Sequence, residues 1–500
     1  MARIPAIRVA ALTALLLALT SVAAARDLRL ITAVKNQDAA SVGALLTAGV
    51  DVNAAQGDGG TALHWAAYRD DLAAATALVR AGAKVNVAND LGVTPLYLAA
   101  SSGSAAMMKA LLDAGADPNL VPPTAVSPLM LAARAGSAEG VQALLARGAL
   151  VNARENSHDQ TSLMWAVAQG HDAVAKILVD HGADVKARTR TTKELVVREV
   201  SLARQSCPGP NPQAPCVEAD LAPKGGFTPL LFAARQGSIA SARLLISGGA
   251  GVDDPAADGN SPLVVAAHAG HTALVELFLA KGANPNSGGA GYTALHAAIL
   301  RGDLAAVTQL LARGADPNAR LVKGTPVRRS GQDLTFSRTI LGATPLFLAA
   351  KYMEPKIMKA LLAKGADPLL AADDGTTTLM AAAGIGWAGL EDRRGVTFSI
   401  GTAVPQDEDA VRETVLLLLE RNVDVNAANK QGDTALHGAV SKGYDSVVQL
   451  LAEKGAKLNV RNKRGKTPLG LTAVNREGAV VGEAVQQSTE MVLRKLGATE

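Results

Sequence analysis

A triplet of Thr or Ser, then a small residue or Pro, then Leu recurs along the chain. Copies start at Thr61, Thr94, Ser127, Thr161, Thr228, Ser261, Thr293, Thr344, Thr377, Thr434 and Thr467. A degenerate copy stands at Leu28, where Ala33-Val34 takes the place of the usual Ala-Ala. The steps from Leu28 onward are 33, 33, 33, 34, 67, 33, 32, 51, 33, 57 and 33 residues. The three long steps are one repeat plus 34, 18 and 24 residues. With the first 25 residues set aside, this leaves twelve units of about 33 residues. Such a period makes each unit a single supersecondary element that must bury its apolar face against its neighbours. Composition agrees, since 48% of residues are hydrophobic but only 3% are aromatic. A core of Ala and Leu suits thin layers of closely approaching helices and disfavours a β-sandwich.

Within one unit, Thr94 caps a helix by accepting a backbone N–H, and Pro95 tolerates the first helical position because no donor is needed there. Leu96, Ala99 and Ala100 then fall on one helical face, and the paired alanines let a second helix lie close. That helix carries Leu111-Leu112 and ends at Gly115, and Asp117-Pro118-Asn119 begins an extended finger into the next unit. Thr61-Ala62-Leu63-His64-Trp65-Ala66-Ala67 opens another unit and Ala81-Gly82-Ala83-Lys84-Val85-Asn86 closes it. Period and signature resemble the ankyrin repeat. The fold expected is an all-α solenoid of about twelve helix-turn-helix units with β-hairpin fingers and three insertions.

The expected organisation is a signal peptide over 1–25, a capping repeat over 26–59 and repeats over 60–187. An insertion with both cysteines follows at 188–223, then repeats over 224–320, a finger insertion at 321–341 and repeats over 342–383. An inter-helix insertion spans 384–409, repeats continue over 410–466, and a capping repeat closes the chain at 467–500. The signal reading rests on Arg3 and Arg8, the apolar run Val9 to Val22, and Ala23-Ala24-Ala25. A membrane anchor is the competing reading of that run, which at about 17 residues is at the short limit for a bilayer. Export, into a bacterial periplasm or out of the cell, is the expected localisation, with no integral membrane span once the signal is removed.

The insertions depart from the repeat. Cys207 and Cys216 are separated by eight residues including four prolines, and in an exported protein they are expected to pair as a disulfide. The first two insertions are rich in Arg and Lys, and either dock an acidic partner or pad neighbouring fingers. The third contains Gly384-Ile385-Gly386-Trp387-Ala388-Gly389, a G-x-G-x-x-G match. Dinucleotide binding needs a strand before that motif. Leu379 to Ala383 reads instead as the first helix of a repeat, so no cofactor is expected.

Nothing marks a catalytic centre, and no metal site is expected. His64, His296 and His437 occupy the motif position, while His171 and His271 follow the turn glycine. No H-E-x-x-H, G-x-S-x-G or phosphate-binding loop occurs. A formal net charge of +4 over 500 residues gives no global signal for nucleic acid or membrane. The resemblance implies a protein-binding module that works through the concave face of the first helices and the fingertips, with no small-molecule substrate. The positions this assigns to a partner are Tyr68, Arg69, Ser101, Arg134, Gln169, Arg235, Gln236, His268, Arg301, Lys351, Tyr352 and Lys442. Ser102, Leu300, Ser441 and the finger residues Asp58, Asp90, Lys224, Phe227, Tyr292, Lys430 and Lys463 extend the set. Two other readings stay open: an exported effector aimed at a host protein, and an enzyme with a site built in the insertions.

Overall fold

The computed structural model describes residues 27–197, 219–324, 340–385, 408–477 and 483–499. The signal segment, Cys207, Cys216, Trp387 and residues 325–339 of the second insertion lie outside the described residues. By internal contacts the chain divides into two units, with the division between Asp184 and Val185.

The first unit is five helix pairs. These are α1 (Arg29–Lys35) with α2 (Ala39–Thr47), α3 (Ala62–Arg69) with α4 (Leu72–Arg80), and α5 (Pro95–Ser102) with α6 (Ala105–Asp113). Then follow α7 (Pro128–Ala135) with α8 (Ala138–Ala146) and α9 (Ser162–Ala168) with α10 (Asp172–Asp180). First helices pack on first helices (α1 on α3 on α5 on α7 on α9), and second helices pack likewise in their own row. This is the two-layer stacking that the apolar stripe of each helix requires.

The second unit opens with an antiparallel hairpin of β1 (Thr192–Val197) and β2 (Ala219–Lys224), in which Thr192 faces Lys224 and Val197 faces Ala219. The first insertion is therefore rooted as a β-ribbon, and Lys224 and Glu194 bond across it. Seven helix pairs follow: α11 (Pro229–Gln236) and α12 (Ile239–Ser247), α13 (Pro262–Ala269) and α14 (Thr272–Ala280), α15 (Ala294–Arg301) and α16 (Leu304–Ala312), then α17 (Pro345–Lys351) and α18 (Pro355–Leu362). The last three are α19 (Thr378–Ala382) and α20 (Glu408–Leu419), α21 (Ala435–Lys442) and α22 (Asp445–Glu453), and α23 (Pro468–Glu477) and α24 (Glu483–Lys495). The third insertion separates α19 from α20, so a helix and not a strand leads into Gly384.

Local chemistry sets these boundaries. Thr94, Ser127, Thr161, Thr228, Ser261 and Thr344 sit in extended backbone, and each side chain accepts the N–H three residues on, as in Thr94 Oγ1 from Tyr97 N at 3.2 Å. Each such cap is worth about 1 kcal/mol. Where the motif carries His, the ring closes a reciprocal cap: Thr61 N donates to His64 Nδ1 at 3.1 Å, with equivalents at Thr293–His296 and Thr434–His437. The other ring nitrogen, Nε2, reaches the next repeat, to Val93 O at 3.0 Å from His64 and to Lys466 O at 3.3 Å from His437. Because Nδ1 accepts, the neutral Nε2–H tautomer fits both contacts.

A second device stacks the repeats at the root of the fingers. Asn119 donates through Nδ2 to Gly148 O at 3.0 Å and accepts Leu150 N at 2.9 Å. Asn53, Asn86 and Asn152 do the same in the first unit, and Asn286, Asn318 and Asn426 in the second. Each amide ties a helix-ending carbonyl to a backbone N–H of the next repeat, satisfying two groups a helix end leaves open. Asp253 stands in this series with a carboxylate that only accepts, from Asn284 N at 3.0 Å.

Candidate protein-binding surface

Two backbone features place the residues after each Ala-Ala. They end the first helix, and a left-handed turn follows, usually at Gly. Their side chains thus stand at the rim between the first helices and the turn. Tyr68 is 62% exposed. Arg69, Ser101, Arg134, Gln169, Arg235, Gln236 and Arg301 are exposed too, while His268 and Lys442 are half-buried. Lys442 packs its stem over Gly384.

Four of the expected positions are not on the surface. Lys351 and Tyr352 are each 8% exposed, Leu300 is fully buried, and Tyr292 is 6% exposed with its hydroxyl donating to Asn260 Oδ1 at 2.9 Å. Exposure at the end of a first helix depends on what the next repeat lays against it. The repeat after Lys351 and Tyr352 is the one whose two helices are parted by the third insertion. Both side chains are buried in this structure, so the exposed part of the expected surface lies at the other positions.

Half-buried Lys35 and exposed Arg134 and Arg235 are backed by aromatic rings. The Lys35 ammonium lies 4.2 Å from the Trp65 ring centre, and Trp65 meets Tyr68 edge-on at 5.8 Å. The Arg134 guanidinium lies 5.1 Å over Trp165. Arg235 lies 5.0 Å from Phe232 and 5.5 Å from Phe227. In the first two cases the cation comes from one repeat and the ring from the next. A ring face attracts a cation by about 0.5–1 kcal/mol at exposed sites and restrains a long side chain. Lys35, Trp65 and Trp165 are absent from the expected set. Their signal is the aromatic residue just ahead of the helix's Ala, in His64-Trp65-Ala66 and Met164-Trp165-Ala166.

The backbone beneath these cations is pinned from the following repeat. His171 Nε2 contacts Arg134 O at 3.0 Å, and His271 Nε2 contacts Arg235 O at 3.1 Å. Arg301 Nε occupies the same slot one repeat later, donating to His268 O at 2.7 Å. Gly136 and Gly237 make room for the two rings: a Cβ on either would come within 2.8 Å of the imidazole.

Electrostatics on this scaffold serve structure. Burial pushes His64 and His437 below the ordinary imidazole value and His296 down to about 4, which keeps the caps neutral at pH 7. Burial pushes Glu155 up, but the backbone N–H groups of Gln160, Ser157 and His158 outweigh it and hold the carboxylate low in its finger. Among the described residues no three His, Cys, Asp or Glu come together to hold a metal ion, and no helix is long and apolar enough to cross a membrane.

Comparison with family models finds ankyrin repeats. The model described as Ankyrin repeats (3 copies) matches residues 30–122, 121–189, 230–320 and 403–483, and the single Ankyrin repeat model matches 341–374. A search of curated proteins finds no match.

Proposed function

The chain belongs to the ankyrin-repeat family, and from that premise we propose that it is a scaffold that binds a partner protein on the first-helix face and fingertips of the array. Ankyrin repeats are generally protein–protein interaction modules, and such proteins are typically non-enzymatic. The observation that carries the finer reading is the set of cations held over aromatic rings: half-buried Lys35 with Trp65 and Tyr68, exposed Arg134 with Trp165, and exposed Arg235 with Phe227 and Phe232. Aromatic and arginine side chains dominate interface hot spots, and a side chain already held in place has less freedom to lose on binding. Arg69, Ser101, Gln169, Gln236, His268, Arg301 and Lys442 complete the proposed surface. Export is proposed from the first 25 residues, which would put the partner outside the cytoplasm.

The test is co-purification with the triple variant Tyr68→Ala, Arg134→Ala, Arg235→Ala. A partner captured by the parent chain and lost from the variant, with the helical spectrum unchanged, supports the surface. A partner retained at full strength removes these residues from it.

A further inference from the structure

Fingertip charge is unevenly distributed within the second unit. The tip at 251–260 carries Asp253, Asp254 and Asp258 with no Lys or Arg, and the tip at 371–376 carries Asp373 and Asp374 with no Lys or Arg; the second insertion between them is basic in sequence, with Lys323, Arg328, Arg329 and Arg338 against Asp333. The last two tips, 428–433 and 461–466, reverse the sign of those two acidic tips. They hold Lys430, Arg461, Lys463, Arg464 and Lys466, all exposed, against the single carboxylate of Asp433. That is a net +4 in twelve residues, equal to the formal charge of the whole chain.

Asp433 neutralises little of it. It is 8% exposed and accepts Asn462 Nδ2 at 2.7 Å, with Arg464 more distant at 3.9 Å. The two tips are locked together: Lys463 N donates to Gln431 O at 2.9 Å, and Lys430 N donates to Asp374 O at 2.9 Å. Inside each turn one amide oxygen accepts two N–H groups, Asn429 from Gln431 and Asp433 at 3.0 Å each, and Asn462 from Arg464 at 3.0 Å and Lys466 at 3.1 Å. Arg461 turns back to Gly465 O at 2.9 Å. Asp373 and Asp374, on the adjoining tip, give the basic patch an acidic border.

We propose that these two fingertips dock an acidic segment of a partner protein. This rests on the scaffold reading above and deepens its fingertip part by stating the charge of the partner segment bound there. Neither tip contains an aromatic side chain on which a base could stack. Neither contains a large apolar side chain to enter a membrane interface. Flanking carboxylates on the border would repel a continuous run of phosphates, whereas a polypeptide can place its acids only where the lysines and arginines stand.

The experiment uses the full chain and a fluorescein-labelled Glu-rich peptide, with anisotropy as the readout. The double variant Lys463→Glu, Arg464→Glu is expected to weaken binding at least ~10-fold. Lys463→Gln, Arg464→Gln should give a smaller loss in the same direction. Raising salt from about 50 mM to about 300 mM should weaken the parent complex. The triple variant of the first-helix face should bind the peptide as the parent does, which separates failure of this contact from failure of the scaffold surface. Peptide binding that is absent, or unchanged by the charge reversal, overturns the proposal. So does tighter binding of a DNA duplex or of phosphatidylserine vesicles that the same reversal abolishes.

Discussion

Acidifying the solution from pH 7 to pH 5 should destabilise the second unit through His296 more than through any exposed group. Its ring is fully buried in a reciprocal cap in which Thr293 N donates to Nδ1 at 3.2 Å. A proton on Nδ1 would face that N–H, and a charged imidazole would be left in an apolar layer. Burial therefore moves the folded value down to about 4 from 6.5. A base whose folded value is depressed contributes stability that is complete above its unfolded value and is lost as pH falls towards its folded one. At pH 5 the unfolded imidazole is almost wholly protonated and the folded one about a tenth, so the loss between pH 7 and pH 5 is about 2 kcal/mol. His437, whose value is also lowered by burial, adds in the same direction. Asp58, whose carboxyl the backbone N–H of Gly60 holds below its ordinary value, responds only at lower pH. Urea unfolding followed by circular dichroism at both pH values, for the parent and for His296→Gln, isolates the term. The variant should lose about 2 kcal/mol less on acidification. Equal losses in both proteins, or an NMR titration that puts folded His296 near 6.5, would refute the reasoning.

Other outcomes follow from particular contacts. Asn119→Ala removes the bonds to Gly148 O and Leu150 N and should cost about 1–3 kcal/mol in urea unfolding, with Asn119→Asp intermediate because it keeps only the acceptor. Gly237→Ala places a Cβ 2.7 Å from the His271 ring at a φ of +88°, so its melting temperature should fall, and a second change, His271→Ala, should recover part of that loss. Thr228→Val deletes the cap on Leu231 N and should lower unfolding stability by about 1 kcal/mol. Lys351→Ala and Tyr352→Ala should lower thermal stability while leaving partner capture intact, because both side chains are buried.

The contrast among these residues shows what a sequence of this kind exposes. Helix starts were legible because a Thr or Ser followed by Pro carries its cap chemistry within three residues, and helix 95–102 begins where Thr94 says it must. The stacking of repeat on repeat was legible from the period, since a lone pair of short helices cannot cover its own apolar face. The asparagine ladder was only half legible: Asn86 and Asn119 mark finger roots, but their partners lie 29 and 31 residues away and depend on repeat-to-repeat registry. Burial of Lys351 and Tyr352 was not legible, because repeat position gives the direction of a side chain and not what the neighbouring repeat sets against it. The cation–ring pairs were hidden for the same reason: Lys35 and Trp65 stand in different repeats, thirty residues apart.

The claim that the first-helix face binds a protein is tested most directly by photo-crosslinking. p-Benzoylphenylalanine placed at Gln169 or Gln236 should yield a discrete adduct with a partner polypeptide. The same group at exposed positions on the second helices, Lys109 and Arg243, should not. Adducts of equal yield from both sets of positions, or from the second helices alone, would contradict the account.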